Sequence, residues 1–377
     1  MYIKRQFSIY ISLNVPTEPP FPSLDRLPSE RFETPTLLKR LASASRSLAE
    51  LKGVAASIPN QGILISALAL QEAKDSSAIE NVVTTHDELY RDDPRETARG
   101  AASKEVLRYR HALMAGFDRV RASGLLTLNT ILDIQAEVAC NRAGLRKLPG
   151  TALKDSAGQT VYAPPQHAGT ILAAMSDLEH FINGNPPFDA DALIRMALIH
   201  HQFESIHPFY DGNGRSGRIV NVLYLVKEGL LDIPVLYLSR HIVRTKAAYY
   251  RLLQAVRDDD AWEAWVEYML TAVEYTARET VVTILGIKTL LLQVKQRVRG
   301  EFKFYSQDLI NNLFSHPYTK IEFIQQDLGV SRLTATRYLD ALAAAGLLEK
   351  TKVGRSNYYI NGPLYAILTS AERDAPV

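Results

Sequence analysis

One stretch of twelve residues, from His207 to Arg218, constrains the fold of this chain more than any other part of the sequence. It reads His-Pro-Phe-Tyr-Asp-Gly-Asn-Gly-Arg-Ser-Gly-Arg. Apolar residues recur at helical spacing upstream of it, over residues 192–203, and downstream of it, over residues 219–226. The proline and the Asp-Gly and Asn-Gly pairs favour a tight loop, because glycine and asparagine tolerate positive φ. The sequence therefore predicts two helices joined by a tight, glycine-rich loop.

The backbone of this loop is suited to binding an anion. A glycine-rich loop that opens a helix leaves several N–H groups without intrahelical partners, at the positive end of the helix dipole. Arg215 and Arg218 are three residues apart, so they fall on one face of the first turn and add two permanently charged guanidiniums. The pattern predicts a site for phosphate or a similar anion.

Two further side chains of the stretch suggest what happens to that anion. His207 stands just before the anion site, and its imidazole can take a proton near neutral pH. Asp211 offers a hard carboxylate oxygen, which suits a Mg²⁺ ion shared with phosphates. A base, a metal ligand, an anion site and two guanidiniums in one loop indicate phosphate-transfer chemistry.

Each feature also has an ordinary structural explanation. A His-Pro pair is often a helix cap, Gly-Asn-Gly is often a turn, and Arg215 and Arg218 are compatible with a solvated helix face. Their coincidence within twelve residues favours a functional site. The stretch resembles the His-Pro-Phe-x-Asp-Gly-Asn-Gly-Arg-x-x-Arg signature of Fic domains, and every fixed position of that signature is present.

The resemblance implies a reaction and a set of roles. The reaction is AMPylation, in which ATP and a Ser, Thr or Tyr hydroxyl of a target protein give AMP-protein and pyrophosphate. His207 would be the general base, and Asp211 would hold Mg²⁺ between the α- and β-phosphates. The roles of the anion site are also implied by the resemblance: N–H groups stabilise the transition state, and the two guanidiniums contact the phosphates, with Arg218 on the γ-phosphate. The residues concerned are Gly212, Asn213, Gly214, Arg215 and Arg218.

A second motif resembles the inhibitory element of the same family. Residues 76–81 read Ser-Ser-Ala-Ile-Glu-Asn and match the pattern Ser/Thr-x-x-x-Glu-Gly/Asn. They precede the signature, as in the subclass whose inhibitory helix lies before the core. A Glu80 carboxylate paired with Arg218 would occupy the guanidinium that should hold the γ-phosphate. The alternative is a capping box, in which Ser77 and Glu80 start a helix.

Two more segments extend the resemblance. Residues 161–165, Val-Tyr-Ala-Pro-Pro, resemble the flap that pairs with the main chain of a target, and Tyr162 is expected at the nucleotide. Tyr249, within a Tyr-Tyr pair, resembles the position where an aromatic ring approaches the adenine. The chain departs from the family at His241, where an aromatic residue is frequent, and over residues 146–159, which leaves target choice open.

Composition agrees with a globular protein. The 377 residues are 46% hydrophobic and 22% charged, which predicts two or three folded domains. The net charge of +2 does not by itself imply a nucleic-acid partner. Cys140 is the only cysteine, so no intrachain disulfide can form, and this is consistent with a reducing compartment. The sequence contains no apolar run long enough to predict a secretory signal or a membrane span, so we expect a cytoplasmic protein.

The expected fold is mainly α: a Fic-type helical core with a small β-hairpin flap, followed by a C-terminal winged helix domain. The predicted regions are an N-terminal helical region with the inhibitory motif (1–100), the catalytic core with the helices that follow it (101–275), a linker helix (276–300) and a winged helix-turn-helix (301–377). Helical patterns occupy residues 37–53, 62–74, 105–122, 127–140, 167–182, 239–256, 262 onward and 279–299. Residues 1–34 are rich in proline past Val15 and predict an extended arm.

The C-terminal prediction rests on the order helix, turn, helix, hairpin over residues 321–360. Four residues near the start of its second helix and two on the wing would face solvent and contact DNA: Arg332, Thr334, Thr336, Arg337, Lys352 and Arg355. A docking or dimer module with a solvated basic face is the alternative.

Three functional hypotheses remain open on the sequence. The first is an adenylyltransferase inhibited by its own Glu80, which modifies a target protein with an accessible hydroxyl or the chain itself. The second is the reverse reaction at the same site, removal of AMP, with Glu80 orienting a water molecule. The third is a DNA-binding regulator that senses a nucleotide, against which the intact His207 argues, because a sensor needs no base. A homodimer is expected from the family resemblance only.

Overall fold

The computed structural model describes residues 19–91, 100–155, 157–184, 187–353 and 356–373, and helices dominate it. Two short 3₁₀ helices, at Leu24–Arg26 and Ser29–Phe32, come first. The helices of the N-terminal and central parts are α1 (Pro35–Ala56), α2 (Gln61–Ile79), α3 (His86–Arg91), α4 (Ala101–Ser123), α5 (Leu128–Ala139), α6 (Ala168–Ile182), α7 (Ala192–Ile206), α8 (Asn213–Lys227), α9 (Leu238–Arg244), α10 (Lys246–Asp259) and α11 (Trp262–Glu301). The mainly helical prediction is confirmed.

Side-chain caps explain where several of these helices begin. Thr34 accepts a hydrogen bond from the N–H of Leu37 at the start of α1, where Pro35 takes the first helical position. Asp191 accepts one from the N–H of Leu193 at the start of α7. Each cap satisfies an N–H that has no intrahelical partner.

Helices α7 and α8 form the centre of the molecule. Residues 193–206 of α7 are buried except for Arg195, and so is most of α8. The two helices approach closely at Gly217, where an added Cβ would lie 2.9 Å from Cδ1 of Phe203 and 2.7 Å from Oε1 of Glu204. Because the two helices are packed on nearly every side, the loop between them is held rigidly at one end of the helix pair.

The long helix α11 spans 40 residues without a break. Helix α1 packs along it, and Arg278 of α11 donates to Ser47 of α1 over 3.2 Å. The boundary predicted between residues 275 and 276 therefore lies inside a continuous helix. None of the helices in the described ranges combines the length and the apolarity that crossing a bilayer requires.

A small hairpin lies before α6. Its strands are β1 (Leu153–Lys154) and β2 (Thr160–Tyr162), which pair antiparallel with Leu153 opposite Tyr162. The predicted small β-hairpin is therefore present.

A C-terminal module follows α11. Its elements are α12 (Gln307–Ser315), β3 (Tyr318–Thr319), α13 (Ile321–Leu328), α14 (Arg332–Ala344), β4 (Glu349–Val353), β5 (Ser356–Ile360) and α15 (Gly362–Arg373). The strands form an antiparallel sheet in the order β3-β5-β4. The predicted order helix, turn, helix, hairpin is present between residues 321 and 360, whereas α12, β3 and α15 were not predicted.

Three local predictions need correction. Helix α2 continues to Ile79, five residues beyond its predicted end, so Ser77 and Glu80 lie at a helix C-terminus and the capping-box alternative is wrong. The helix predicted over residues 239–256 is two helices, α9 and α10, which meet at Thr245. In the predicted extended arm, residues 24–32 form the two 3₁₀ helices, and residues 1–18 lie outside the described residues.

Candidate active site

The loop between α7 and α8 is bracketed by two residues with positive φ. His207 ends α7 at φ 46°, and its N–H donates to the carbonyl oxygen of Phe203 over 3.0 Å. Gly212 precedes α8 at φ 84°. A left-handed conformation is readily available to glycine and uncommon for histidine, so the imidazole position depends on the packing around the loop.

The side chain of Asn213 ties the loop together. Its Oδ1 accepts from the N–H of Phe209 and its Nδ2 donates to the carbonyl oxygen of Phe209, both over 2.8 Å. Phe209 is fully buried. The amide of Asn213 is therefore structural, and the backbone N–H is the part of this predicted site residue that remains for a ligand.

Arg146 secures the loop from the other side. This fully buried residue donates from Nε to the carbonyl oxygen of His207 over 2.7 Å and from its second terminal nitrogen to that of Pro165 over 2.9 Å. The backbone N–H of Arg146 donates to the carbonyl oxygen of Pro208 over 2.8 Å. The segment 146–159 thus begins with a residue that fixes the loop between α7 and α8.

Arg215 lies between two carboxylates. It donates to Oε1 of Glu105, on α4, over 2.5 Å and to Oδ1 of Asp211 over 3.1 Å. Its Nε is buried and has no hydrogen-bond partner among the described residues. Oδ1 of Asp211 also accepts from the N–H of Gly212 over 2.7 Å, and the Asp211 side chain remains 64% exposed.

Arg218 is held by the end of α2. It donates from Nε to Oγ of Ser76 over 2.8 Å, and from one terminal nitrogen to the carbonyl oxygen of Ser76 over 3.0 Å and to Oε1 of Glu80 over 2.8 Å. The Arg218 side chain is 2% exposed and that of Glu80 is 36% exposed. Burial opposes ionisation of Glu80, but Arg218 outweighs it and lowers the pKa of the carboxyl below its usual value. The predicted pairing of residues 138 positions apart is present.

Glu80 also lies against the N-terminus of α8. An added Cβ on Gly214 would collide with Oε1 of Glu80 and lie 2.9 Å from a terminal nitrogen of Arg218. The carboxylate therefore lies against the backbone at the start of α8, in the space that an anion bound there would use. Lys246 holds this end of α2 in place, since its Nζ donates to the carbonyl oxygen of Ile79 over 2.6 Å and to Oδ1 of Asn81 over 3.1 Å.

The imidazole of His207 is neutral at physiological pH. Burial lowers its pKa to about 4, and the positive charges of Arg146 and Arg257 contribute to the same shift. Its Nδ1 is buried without a hydrogen-bond partner in the described part of the chain. His207 lines one pocket together with Glu80, Glu105 and residues 210–215.

A buried carboxyl lies behind this pocket. Burial raises the pKa of Glu204 to about 7, and Arg218 partly offsets the shift. Its Oε1 makes no hydrogen bond with the described residues and lies against Gly217.

The predicted flap residue and the predicted aromatic residue both contact α7. The hydroxyl of Tyr162 donates to the carbonyl oxygen of Ser205 over 3.1 Å, and the guanidinium of Arg257 stacks 4.0 Å from the centre of its ring. Tyr249 is buried, and its hydroxyl is 2.8 Å from Nε2 of His200. Its neighbour Tyr250 is 46% exposed and packs edge-on against it.

Sequence reasoning missed four residues that shape this site: Glu105, Arg146, Glu204 and Lys246. Glu204 had a local signal, because it lies three residues before His207 and one helical turn places both at the same end of α7. The other three come from distant segments, and only the folded chain brings them to the loop.

Three family models match consecutive parts of the chain. The model described as Fic/DOC family N-terminal matches residues 38–118, and the Fic/DOC family model matches residues 125–225. The model of the protein adenylyltransferase SoFic-like C-terminal domain matches residues 290–364. The chain belongs to the Fic/DOC family.

Relatives named as Fic adenylyltransferases match part of the chain. The protein adenylyltransferase fic-1 of Caenorhabditis briggsae is 27% identical over 141 residues, which are 37% of this chain and 23% of that protein. The protein adenylyltransferase Fic of Aedes aegypti is 25% identical over 157 residues, or 42% of this chain and 30% of the relative. This chain thus spans less than a third of the length of these relatives.

A solved structure shares the fold over most of the chain. The Fic family protein from Desulfovibrio desulfuricans G20 superposes with a TM-score of 0.55 at 20% identity, covering 87% of this chain and 97% of the other. At that identity the likeness concerns the fold alone.

Proposed function

We propose that this Fic/DOC family chain transfers AMP from ATP to a Ser, Thr or Tyr hydroxyl of a protein and releases pyrophosphate. The observation that carries the proposal is the pocket in which His207, Asp211 and the N-terminus of α8 meet. In the reaction the hydroxyl oxygen forms a bond to the α-phosphorus, the bond from that phosphorus to pyrophosphate breaks, and His207 takes the hydroxyl proton.

The lowered pKa of His207 supports its role as the base. A neutral imidazole can accept a proton, and burial, together with the two nearby guanidiniums, keeps the imidazole neutral at physiological pH by lowering its pKa. The N–H groups of Gly212, Asn213 and Gly214 would stabilise negative charge on the α-phosphate during transfer. The buried, unpaired Nε of Arg215 is a donor that a phosphate oxygen would satisfy.

Asp211 is the residue proposed to hold Mg²⁺. Its carboxylate is 64% exposed at the pocket, and one carboxylate plus substrate phosphates is a usual ligand set for this ion. Among the described residues no group of three His, Cys, Asp or Glu side chains is placed to form a site from protein ligands alone. When bound, Mg²⁺ would neutralise charge between the α- and β-phosphates.

Glu80 is proposed to inhibit the enzyme. Its carboxylate pairs with Arg218 and lies against Gly214, so the γ-phosphate of ATP would compete with it for the same guanidinium and the same space. ATP bound beside Glu80 would be displaced from the in-line pose, and a displacement of about 1 Å can cost about a hundredfold in rate.

Target recognition is assigned to the flap, β1 and β2, to which an extended segment of the target would add as a strand. The amide of Gln254 donates to the carbonyl oxygen of Val161 over 3.1 Å and supports the hairpin. The placement of Tyr162 and Tyr249 beside the nucleotide stays a prediction. Since Tyr249 is buried, Tyr250 is the ring with more exposed surface to offer.

The C-terminal module supports a second candidate function, binding of duplex DNA through residues 321–360. Two basic side chains, Arg332 and Lys352, are exposed on α14 and on β4, although Arg332 is paired with Glu322 over 2.6 Å. Specific binding of the protein to duplex DNA, with an affinity that falls steeply as the salt concentration rises, would support this function.

Incubation of the protein with Mg²⁺ and ATP labelled in the α-phosphate tests the proposed function. Labelled protein, the chain itself or an added target, should appear with the Glu80→Gly variant and vanish when His207→Ala is added. Mass spectrometry should then locate one AMP on a hydroxyl. Equal labelling with and without His207 would reject the assignment. Loss of AMP from pre-labelled protein would instead identify the reverse reaction, and gel filtration would test the expected homodimer.

A further inference from the structure

A cleft outside the active site separates the N-terminal helices from the C-terminal module. Its centre is formed by Ser66 of α2, Arg110 of α4, and Ser315 and His316 at the end of α12. The cleft has two unlike halves, and Arg110 lies where they meet.

Arg110 carries a charge that the described residues do not balance. Its Nε is buried and makes no hydrogen bond, and no Asp or Glu in the described ranges forms an ion pair with its guanidinium. Burial lowers the pKa of this group from its ordinary value. A partly buried guanidinium without a partner is unfavourable, and such groups are normally paired with a carboxylate, a phosphate or a bound ligand.

The two halves of the cleft differ in chemistry. One is apolar and is walled by the buried side chains of Leu70, Leu89 and Leu107. The other is polar and open, and its walls include Asn60, Asn311, Asp308 and Asp327. The two aspartates at the polar mouth would repel a polyphosphate or a nucleic acid, whereas one small anionic group can reach Arg110.

We propose that this cleft binds a small organic anion, whose carboxylate or phosphate is held by the guanidinium of Arg110 and whose apolar part enters the half lined by leucines. A planar guanidinium donates two parallel hydrogen bonds to either kind of oxyanion. This site is separate from the loop of residues 207–218 and does not depend on the function proposed for that loop.

Thermal unfolding of the full-length chain tests the proposal. Sodium phosphate, acetate and benzoate are each compared with sodium chloride at equal ionic strength. At concentrations well above the dissociation constant, phosphate or a carboxylate should raise the Tm of the wild type by about 1 to 3 °C. A benzoate effect larger than the acetate effect would identify a carboxylate with an apolar body, and a response to phosphate alone would identify a phosphate group.

The variant Arg110→Met should lose this response, and in chloride it should melt above the wild type, because it removes a buried charge that lacks a partner. Arg121→Met, on the exposed end of the same helix, removes one positive charge elsewhere and should keep the response. Arg110→Lys keeps the charge without the planar fork and provides a second variant if methionine prevents folding; its response should be weakened. A wild type that responds to none of the three anions, or an Arg110 variant that responds as the wild type does, would overturn the proposal.

Discussion

Replacing Glu80 by glycine should release the active site. In the folded chain Arg218 donates three hydrogen bonds, two to Ser76 and one to the Glu80 carboxylate. A charge-assisted hydrogen bond contributes about 1.5 to 3 kcal/mol. Because the Glu80 side chain is 36% exposed, solvent screening places its contribution in the lower part of that range. If ATP must displace Glu80 before its γ-phosphate reaches Arg218, a contribution of about 1.5 to 2 kcal/mol corresponds to a tenfold to thirtyfold faster AMP transfer in the variant.

The assay is the initial rate of label incorporation from α-labelled ATP in Mg²⁺ buffer. Glu80→Gln is the matched control, because it keeps the shape of the side chain and loses its charge, and its rate should lie between wild type and Glu80→Gly. Circular dichroism should show the same helical content in all three proteins. The reasoning is refuted if Glu80→Gly labels no faster than wild type while the label still depends on His207.

Three further results are expected. In the Glu80→Gly background, kcat/KM should be flat between pH 6 and pH 8 and fall toward pH 4, because His207 is neutral above its lowered pKa of about 4. Initial rates measured across this range test the prediction. A midpoint near 6.5 would show that the pKa of the imidazole is not lowered. Glu105→Ala leaves a buried N–H of Arg215 unpaired and should lower the free energy of unfolding by about 1 to 3 kcal/mol in urea titrations, and an unchanged midpoint would contradict this. Burial raises the pKa of Glu204 to about 7, so the folded chain keeps a proton that the unfolded chain releases near 4.5, and stability is lost as pH rises from about 4.5 to 7. By pH 8 Glu204→Gln should be more stable than wild type by up to roughly 3 kcal/mol, with little difference at pH 4, and a gain that does not depend on pH would exclude ionisation as its cause.

The sequence predicted the parts of the fold that follow from local patterns. The helices around the 207–218 loop were predicted from apolar spacing, and the loop itself from its glycines and asparagine. The C-terminal order of helix, turn, helix and hairpin was predicted in the same way. Helix α12 was missed, because a helix of nine residues has little intrinsic stability and depends on the surfaces it packs against.

The active site likewise has one part that the local sequence predicted and another that only the tertiary structure decided. The local sequence predicted the candidate base, the candidate anion site and the two arginines, because residues 207–218 are close together in the chain, whereas the position of the imidazole depends on the packing around the loop. The resemblance to the Fic signature connected Glu80 to Arg218, and the tertiary structure decided how they meet: α2 ends at Glu80, and its last turn lies over the start of α8.

Only the tertiary structure placed Glu105 against Arg215 and left Arg110 without a carboxylate partner among the described residues. The sequence carries no signal for either result, since both depend on which surfaces of α4 face other helices after folding. A charged side chain is hydrated in the unfolded chain. Once packing removes that water, the charge destabilises the fold unless it is paired, and which charges are paired depends on the folded structure.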